Sequence, residues 1–197
     1  MTERSAAFPS FHLVLGIDLG TTSAAVSVWD GAELVLIPGP AGDPTMPSTL
    51  GQNEAGQVVV GLPPDRDSAR TVHGIKRELG TGEPVRFRGR NYQPREICAF
   101  LLIELKRQAE AYLGVPVHDA VLTVPTAAGE PQRRALREAA GLAQLNVRRL
   151  LDDPVAAAMA FGPADRERIY AIYDLGGGTF DAAIVRSGPG TIEVLGT

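Results

Sequence analysis

The chain has 197 residues, 44% of them hydrophobic and 21% charged, with a formal net charge of −4. That length supports one substantial core or two small lobes, the composition is that of a globular domain, and the negative balance argues against general nucleic-acid affinity. Cys98 is the sole cysteine, which excludes internal disulfides and metal-thiolate clusters and suits a reducing compartment.

The opening residues M-T-E-R-S-A-A-F-P-S carry no apolar segment ahead of a cleavage site. The most apolar stretches are interrupted by Asp18, Glu104 or Arg186 well short of a membrane span, so the expectation is a cytoplasmic protein with no membrane partner. Residues 13–18, 24–29 and 33–37 read as three consecutive strands, with Asp30-Gly31 as a hairpin turn. The first two are nearly continuous apolar runs, which points to burial on both faces. From Pro38 to about Pro94 the texture changes to many Gly, Pro and Arg, with only residues 58–60 reading as a strand. This is expected to be an inserted subdomain.

Residues 93–113 form a predicted helix, because Ile97, Leu101 and Leu105 recur at helical spacing and Gly114 with Pro116 ends the run. Cys98 falls on it and reads as a buried structural thiol. A buried strand over 118–124 closes at Pro125, and a second helix over 131–140 has proline in its first turn and Gly141 after its last. A strand over 145–151 precedes a third helix over 155–161, with Asp152-Asp153 as its N-cap and Gly162-Pro163 as its stop. Strands over 169–174, 180–186 and 192–195 then restart the series without helices, leaving at least one sheet face uncovered. That end is expected to be mobile, to dimerise, or to belong to a longer parent.

Two of these stretches share one logic. Val14 to Val28 and Ile172 to Val185 each run as apolar strand, Asp-Leu-Gly, a Gly/Thr turn and a second apolar strand, the later copy having one extra turn residue. A duplicated hairpin implies a duplicated site. Backbone N–H groups in such turns (Gly20, Thr21, Thr22; Gly176, Gly177, Gly178, Thr179) form an anion-binding concavity that phosphate oxygens can approach closely. Asp18 and Asp174 at the strand ends would repel a bare phosphate, and Mg²⁺ bridging carboxylate to phosphate removes the conflict. Either copy alone reads better as a ligand-free tight turn. The matched carboxylates separate the two readings, because a turn by itself needs no acid at the strand end.

The chain resembles the nucleotide-binding domain of the seventy-kilodalton heat-shock (DnaK-type) chaperones, within the actin-like ATPase superfamily. The resemblance rests on G-I-D-L-G-T-T from Gly16 to Thr22, G-I-K-R from Gly74 to Arg77, A-E-A-Y-L-G from Ala109 to Gly114 and V-L-T-V-P from Val121 to Pro125. It continues through Q-R-R from Gln132 to Arg134, D-P-V-A-A-A from Asp153 to Ala158 and Y-D-L-G-G-G-T-F-D from Tyr173 to Asp181. The implied fold is an α/β, actin-like (ribonuclease H-like) lobe with a mixed sheet flanked by helices, an inserted subdomain and the first three strands of a second lobe. Its divisions fall at 1–37, 38–92, 93–165 and 166–197.

The resemblance implies that Thr21, Thr22 and Gly176 to Thr179 touch the phosphates of ATP or ADP. Asp18, Asp174 and Asp181 would hold Mg²⁺ largely through water, with K⁺ a further candidate ion. Lys76, Asp153, Asp174 and Thr179 would serve catalysis, Lys76 by placing the attacking water. Pro125 and Arg133 match the family's relay to a peptide-binding domain. The implied partners of the parent are unfolded peptides, a J-domain co-chaperone and a nucleotide exchange factor, with no nucleic acid.

Two departures stand out. Asp153 stands where the family carries glutamate, and Ala127 and Ala128 replace an aromatic pair. The match covers lobe one and the opening of lobe two, so this chain by itself is expected to be a weak or inactive ATPase. The alternatives are a sugar or acetate kinase-like phosphotransferase sharing Asp18 to Thr22, and a non-catalytic binding module. His12, His73 and His118 show no paired ligand spacing, and the alternating Arg86, Arg88 and Arg90 read as a solvated hairpin face.

Overall fold

The computed structural model describes residues 13–39, 41–53, 55–62, 71–161 and 165–197. His12 and the expected helix stop at Gly162-Pro163 lie outside them. The centre of the fold is a mixed sheet built from β1 (Val14–Leu19), β2 (Ser23–Trp29), β3 (Leu34–Leu36), β10 (Asp119–Val124) and β11 (Asn146–Asp152), in the order β11-β10-β1-β2-β3. The first three strands form an antiparallel meander, while β10 runs parallel to both β1 and β11. Parallel neighbours need crossover connections. Here they are α1 (Pro94–Leu113), which precedes β10, and α2 (Glu130–Leu142), which links β10 to β11.

The apolar runs explain why this sheet is the core. Leu15, Ile17, Leu19, Val26, Ala120 and Leu122 are all at most 1% exposed, packed with Leu101, Leu102 and Leu105 of α1. Helix α1 is fixed at its start by a reciprocal capping box between Gln93 and Glu96, and at its end by Gly114 in the left-handed region. Cys98 is fully buried in it, and burial pushes its thiol up to about 12. The thiol is thus an inert packing group.

Residues 38–92 are more regular than their composition suggests. Besides the expected strand at β6 (Val58–Val60), they contain β4 (Met46–Pro47), β5 (Thr49–Gln52), β7 (Thr71–His73), β8 (Val85–Phe87) and β9 (Arg90–Tyr92), with a single 3-10 turn over Ile75–Arg77. These strands are two to four residues long, too short to leave a period in the sequence. Strand β4 pairs with β2, so this segment is stitched to the main sheet. Arg86, Arg88 and Arg90 lie on the exposed β8–β9 hairpin.

The last three strands, β12 (Arg168–Leu175), β13 (Phe180–Gly188) and β14 (Thr191–Gly196), form a separate antiparallel sheet. No helix lies among these strands, and the preceding α3 (Asp153–Met159) covers one face, where Ala158, Ala183 and Val185 pack together with Ile172, Ile192 and Val194. The other face stays open, carrying Ile169, Tyr173, Leu175, Phe180, Ile184 and Leu195. No helix among the described residues is long and apolar enough to cross a membrane.

Candidate functional site

Three parallel strands end side by side, and their ends carry the polar groups of the site. Asp18 lies at the end of β1, Thr123 near the end of β10, and Asp153 directly after β11. The register pairs Ile17 with Leu122 and Val124 with Asp152, so adjacency follows from the parallel ladder itself. The carboxyl ends of strands in an open α/β sheet are the general location for ligands.

The two Gly/Thr turns face each other across this row. A cavity of about 140 Å³ is lined by Asp18, Gly20, Thr21, Thr22 and Lys76 on one side, and by Asp174, Gly176, Gly177, Thr179 and Asp181 on the other, with Asp153 between. Asp18 and Asp174 therefore open into one cleft. The turns nearly touch: a Cβ on Gly177 would stand 2.7 Å from Thr22 Oγ1. Glycine suits the space there, since a side chain would run into that of Thr22. Gly178 does not line the cavity; its carbonyl accepts a hydrogen bond from Arg77 Nη2.

A second, larger cavity of about 600 Å³ adjoins the first and shares Asp18, Asp153 and Asp174 with it. Its walls are mostly apolar, including Pro125, Ala127, Ala157 and Ile172.

Lys76 is delivered by the segment of short strands over residues 38–92. Gly74 takes φ 68, a left-handed conformation suited to glycine, and starts the 3-10 turn. Ile75 is 2% exposed and anchors that turn in the core, while Gln132 Nε2 donates to the Lys76 carbonyl at 3.1 Å. The ammonium, only 7% exposed as a residue, then reaches Asp153 Oδ2 at 3.3 Å. Lys76 thus stands in a buried ion pair.

Asp153 is likewise not the N-cap. The cap of α3 is Asp152, which makes no side-chain cap bond, and Asp153 sits inside the first turn. Asp152 instead accepts from Arg133 Nη2 at 2.6 Å, while Arg133 Nε donates to the Ala128 carbonyl at 2.9 Å. Arg133 therefore ties α2 to the end of β11 and is no free surface residue. Burial pushes the Asp153 carboxyl above its ordinary value. Lys76 and the Thr123 hydroxyl pull it back, and Asp18 adds a smaller upward push.

The donor set fits a hydrated magnesium ion. Asp174 and Asp181 stand directly opposite each other across the β12–β13 ladder, a like-charge pair that is unfavourable without a cation. Asp153 Oδ1 is buried with no hydrogen-bond partner, a polar atom waiting for one. Among the described residues no three acidic, histidine or cysteine side chains are gathered tightly enough to hold a metal on their own. That suits Mg²⁺, which keeps several waters and takes substrate phosphates as ligands.

A family model described as "Hsp70 protein" matches residues 14–85 and 81–197. The chain belongs to the Hsp70 family. The matched region spans both turns, the Lys76 segment and the second sheet, so an actin-like ATPase lobe of a chaperone family underlies the cleft. The family generally binds ATP or ADP with Mg²⁺.

Sequence reasoning missed several residues that shape the site. Ser48 donates from Oγ to the Gly20 carbonyl at 2.9 Å and from its N–H to the Thr22 carbonyl at 2.8 Å, so the segment between β4 and β5 buttresses the first turn. Gln132 holds the Lys76 turn, Arg77 holds the second turn, and Thr123 Oγ1 donates to Asp18 Oδ1 at 2.8 Å. The partners are 26 to 105 residues apart, beyond any local pattern.

Proposed function

We propose that this chain binds the phosphates of Mg-ATP and Mg-ADP between its two Gly/Thr turns and supports ATP hydrolysis in a DnaK-type chaperone. The observation that carries the reading is the convergence of Asp18, Asp174, Asp181, Asp153 and Lys76 on one cleft walled by both turns. Phosphoryl transfer asks a protein mainly for positioning and charge compensation, which this set supplies.

A divalent cation held through water by Asp18, Asp174 and Asp181 would supply positive charge to offset that developing on the phosphates. The remaining work belongs to the chain. Thr21, Thr22, Gly176, Gly177 and Thr179 approach the phosphate tail through backbone and hydroxyl groups, while Asp18, Asp174 and Asp181 order the waters of a metal shell. K⁺ is a second candidate ion there. Lys76 lends positive charge at the buried end and orients a water nucleophile, and Asp153 holds Lys76. Where such a chain is joined to a peptide-binding domain, Pro125 and Arg133 would pass nucleotide state to it, with unfolded peptides, a J-domain co-chaperone and an exchange factor as partners. We read residues 1–37 and 93–165 as one lobe, 38–92 as its insertion and 166–197 as the opening of a second lobe.

The test is calorimetric titration with Mg-ATP beside a single-turnover assay of phosphate release. Binding should be measurable, with slow release that Lys76→Met abolishes while leaving binding within a few fold. Absence of both heat and any Mg-nucleotide shift in melting temperature would refute the reading.

A further inference from the structure

The hydroxyl of Thr123 sits where nothing in the phosphate-binding pattern calls for it. It lies on β10, between the strand carrying Asp18 and the strand leading into Asp153. Its Oγ1 donates to Asp18 Oδ1 at 2.8 Å across a sequence separation of 105 residues. Asp18 has no comparable help from its own hairpin, where the register places Ala25 opposite it. A threonine hydroxyl carries one proton, so it can serve only one carboxylate at a time. Asp18 receives it at hydrogen-bond distance; the same hydroxyl lies near enough to Asp153 to lower that carboxyl, but Asp153 Oδ1 makes no hydrogen bond of its own.

We infer that Thr123 is a positioning residue, whose hydroxyl locks the Asp18 carboxylate in the orientation that receives the metal-bound phosphate. The inference rests on the proposed phosphate cleft and adds a residue to it. The geometry explains why a hydroxyl serves better here than a third charge. A carboxylate whose lone pair is already satisfied by a neutral donor keeps its full charge for the cation and loses only its freedom to rotate. A lysine or arginine at the same place would neutralise it. The β-branched side chain also suits a central strand and holds few χ1 rotamers, which makes it a stiff support.

The role predicts a specific defect. Losing an orienting hydrogen bond to a charged group should weaken magnesium-dependent binding by roughly tenfold or more, while binding of metal-free nucleotide depends on the turns and is spared. The experiment titrates ADP calorimetrically, once with excess Mg²⁺ and once with EDTA, into wild type, Thr123→Val and Thr123→Ser. Valine keeps the shape and removes the hydroxyl, and serine does the reverse. The expected result is a magnesium increment cut roughly tenfold or more in Thr123→Val and within about threefold of wild type in Thr123→Ser, with EDTA affinities equal across all three.

A general packing defect would lower both affinities together, and that outcome overturns the inference, as does a Thr123→Val increment equal to wild type. A wild-type chain that binds ADP no tighter with magnesium overturns the phosphate-cleft reading and this inference with it. Should Thr123→Val not fold, Thr123→Ala and Thr123→Ser carry the comparison. A reduced increment in alanine alone supports the role, and equal increments in the two overturn it.

Discussion

The two Asp-Leu-Gly hairpins look alike in sequence and are held in quite different ways. The first grows from a sheet with one fully buried face, Leu15, Ile17 and Leu19 each being at most 1% exposed, and Ser48 clamps its turn from outside. The expected burial of both faces gives way to a half-open second face that carries Asp18. The second grows from a three-stranded sheet covered by α3 on one side only, with Tyr173 and Leu175 more than 70% exposed on the other. Their charge differs as well. Asp18 faces Ala25 across its hairpin and takes a hydroxyl from Thr123, while Asp174 faces Asp181. Duplication of a motif thus preserved the turn chemistry while the support diverged: one aspartate is held by packing and a neutral donor, the other sits in a pair that calls for a cation.

If that contrast is real, truncating equivalent positions should cost very different amounts. Ile17→Ala, in the saturated core, should lose about 2–5 kcal/mol, whereas Ile172→Ala, half-buried beside Ala158 and Val185, should lose less than about 2 kcal/mol. Urea denaturation of both measures it, and equal losses would break the comparison.

The contact between the turns gives the next effect. Gly177→Ala places a methyl 2.7 Å from Thr22 Oγ1, so the turns must separate and Mg-ADP affinity should fall at least tenfold. Gly141→Ala is the control: its Cβ meets nothing within 4 Å, and a helical Gly-to-Ala change should stabilise by roughly 0.5–1 kcal/mol without touching affinity.

A smaller, pH-dependent effect comes from Asp153. Its folded-state pKa is raised above the ordinary 3.8, chiefly by burial, so the folded chain binds that proton more tightly than the unfolded chain does. The stability it contributes is complete below 3.8 and is lost as pH rises through the raised folded value. Melting temperature against pH should therefore show a downward component on leaving acid that is absent in Asp153→Asn. If the two curves stay parallel, burial does not govern this carboxyl.

The smallest expected change is at the open face. Ile169→Ser, at a side chain 64% exposed, should shift stability by no more than about 0.5 kcal/mol. It should reduce any concentration-dependent self-association seen by sedimentation. A large loss of stability would mean that this face is covered within the folded chain.

Much of this molecule was legible in its residues. The apolar runs of β1 and β2, the helical spacing of Ile97, Leu101 and Leu105, and the repeated Asp-Gly-Thr pattern located the sheet, the long helix and both turns. Boundaries moved only slightly: β1 runs Val14–Leu19, and α3 begins at Asp153, two residues before its predicted start. The short strands of the insertion were hidden because two to four residues hold too little periodicity, and their pairings are with distant segments.

Sequence alone therefore determined which chemistry was present: acids at strand ends, glycines where backbones approach, a lysine in an otherwise irregular stretch. Tertiary structure alone decided who meets whom. Asp153 became the partner of Lys76 and ceased to be a cap, Arg133 closed on Asp152, and Thr123 came to rest against Asp18. The physical reason is range. Local propensity and periodicity act over a few residues, whereas a parallel sheet sets side by side strand ends that are more than a hundred residues apart in the chain.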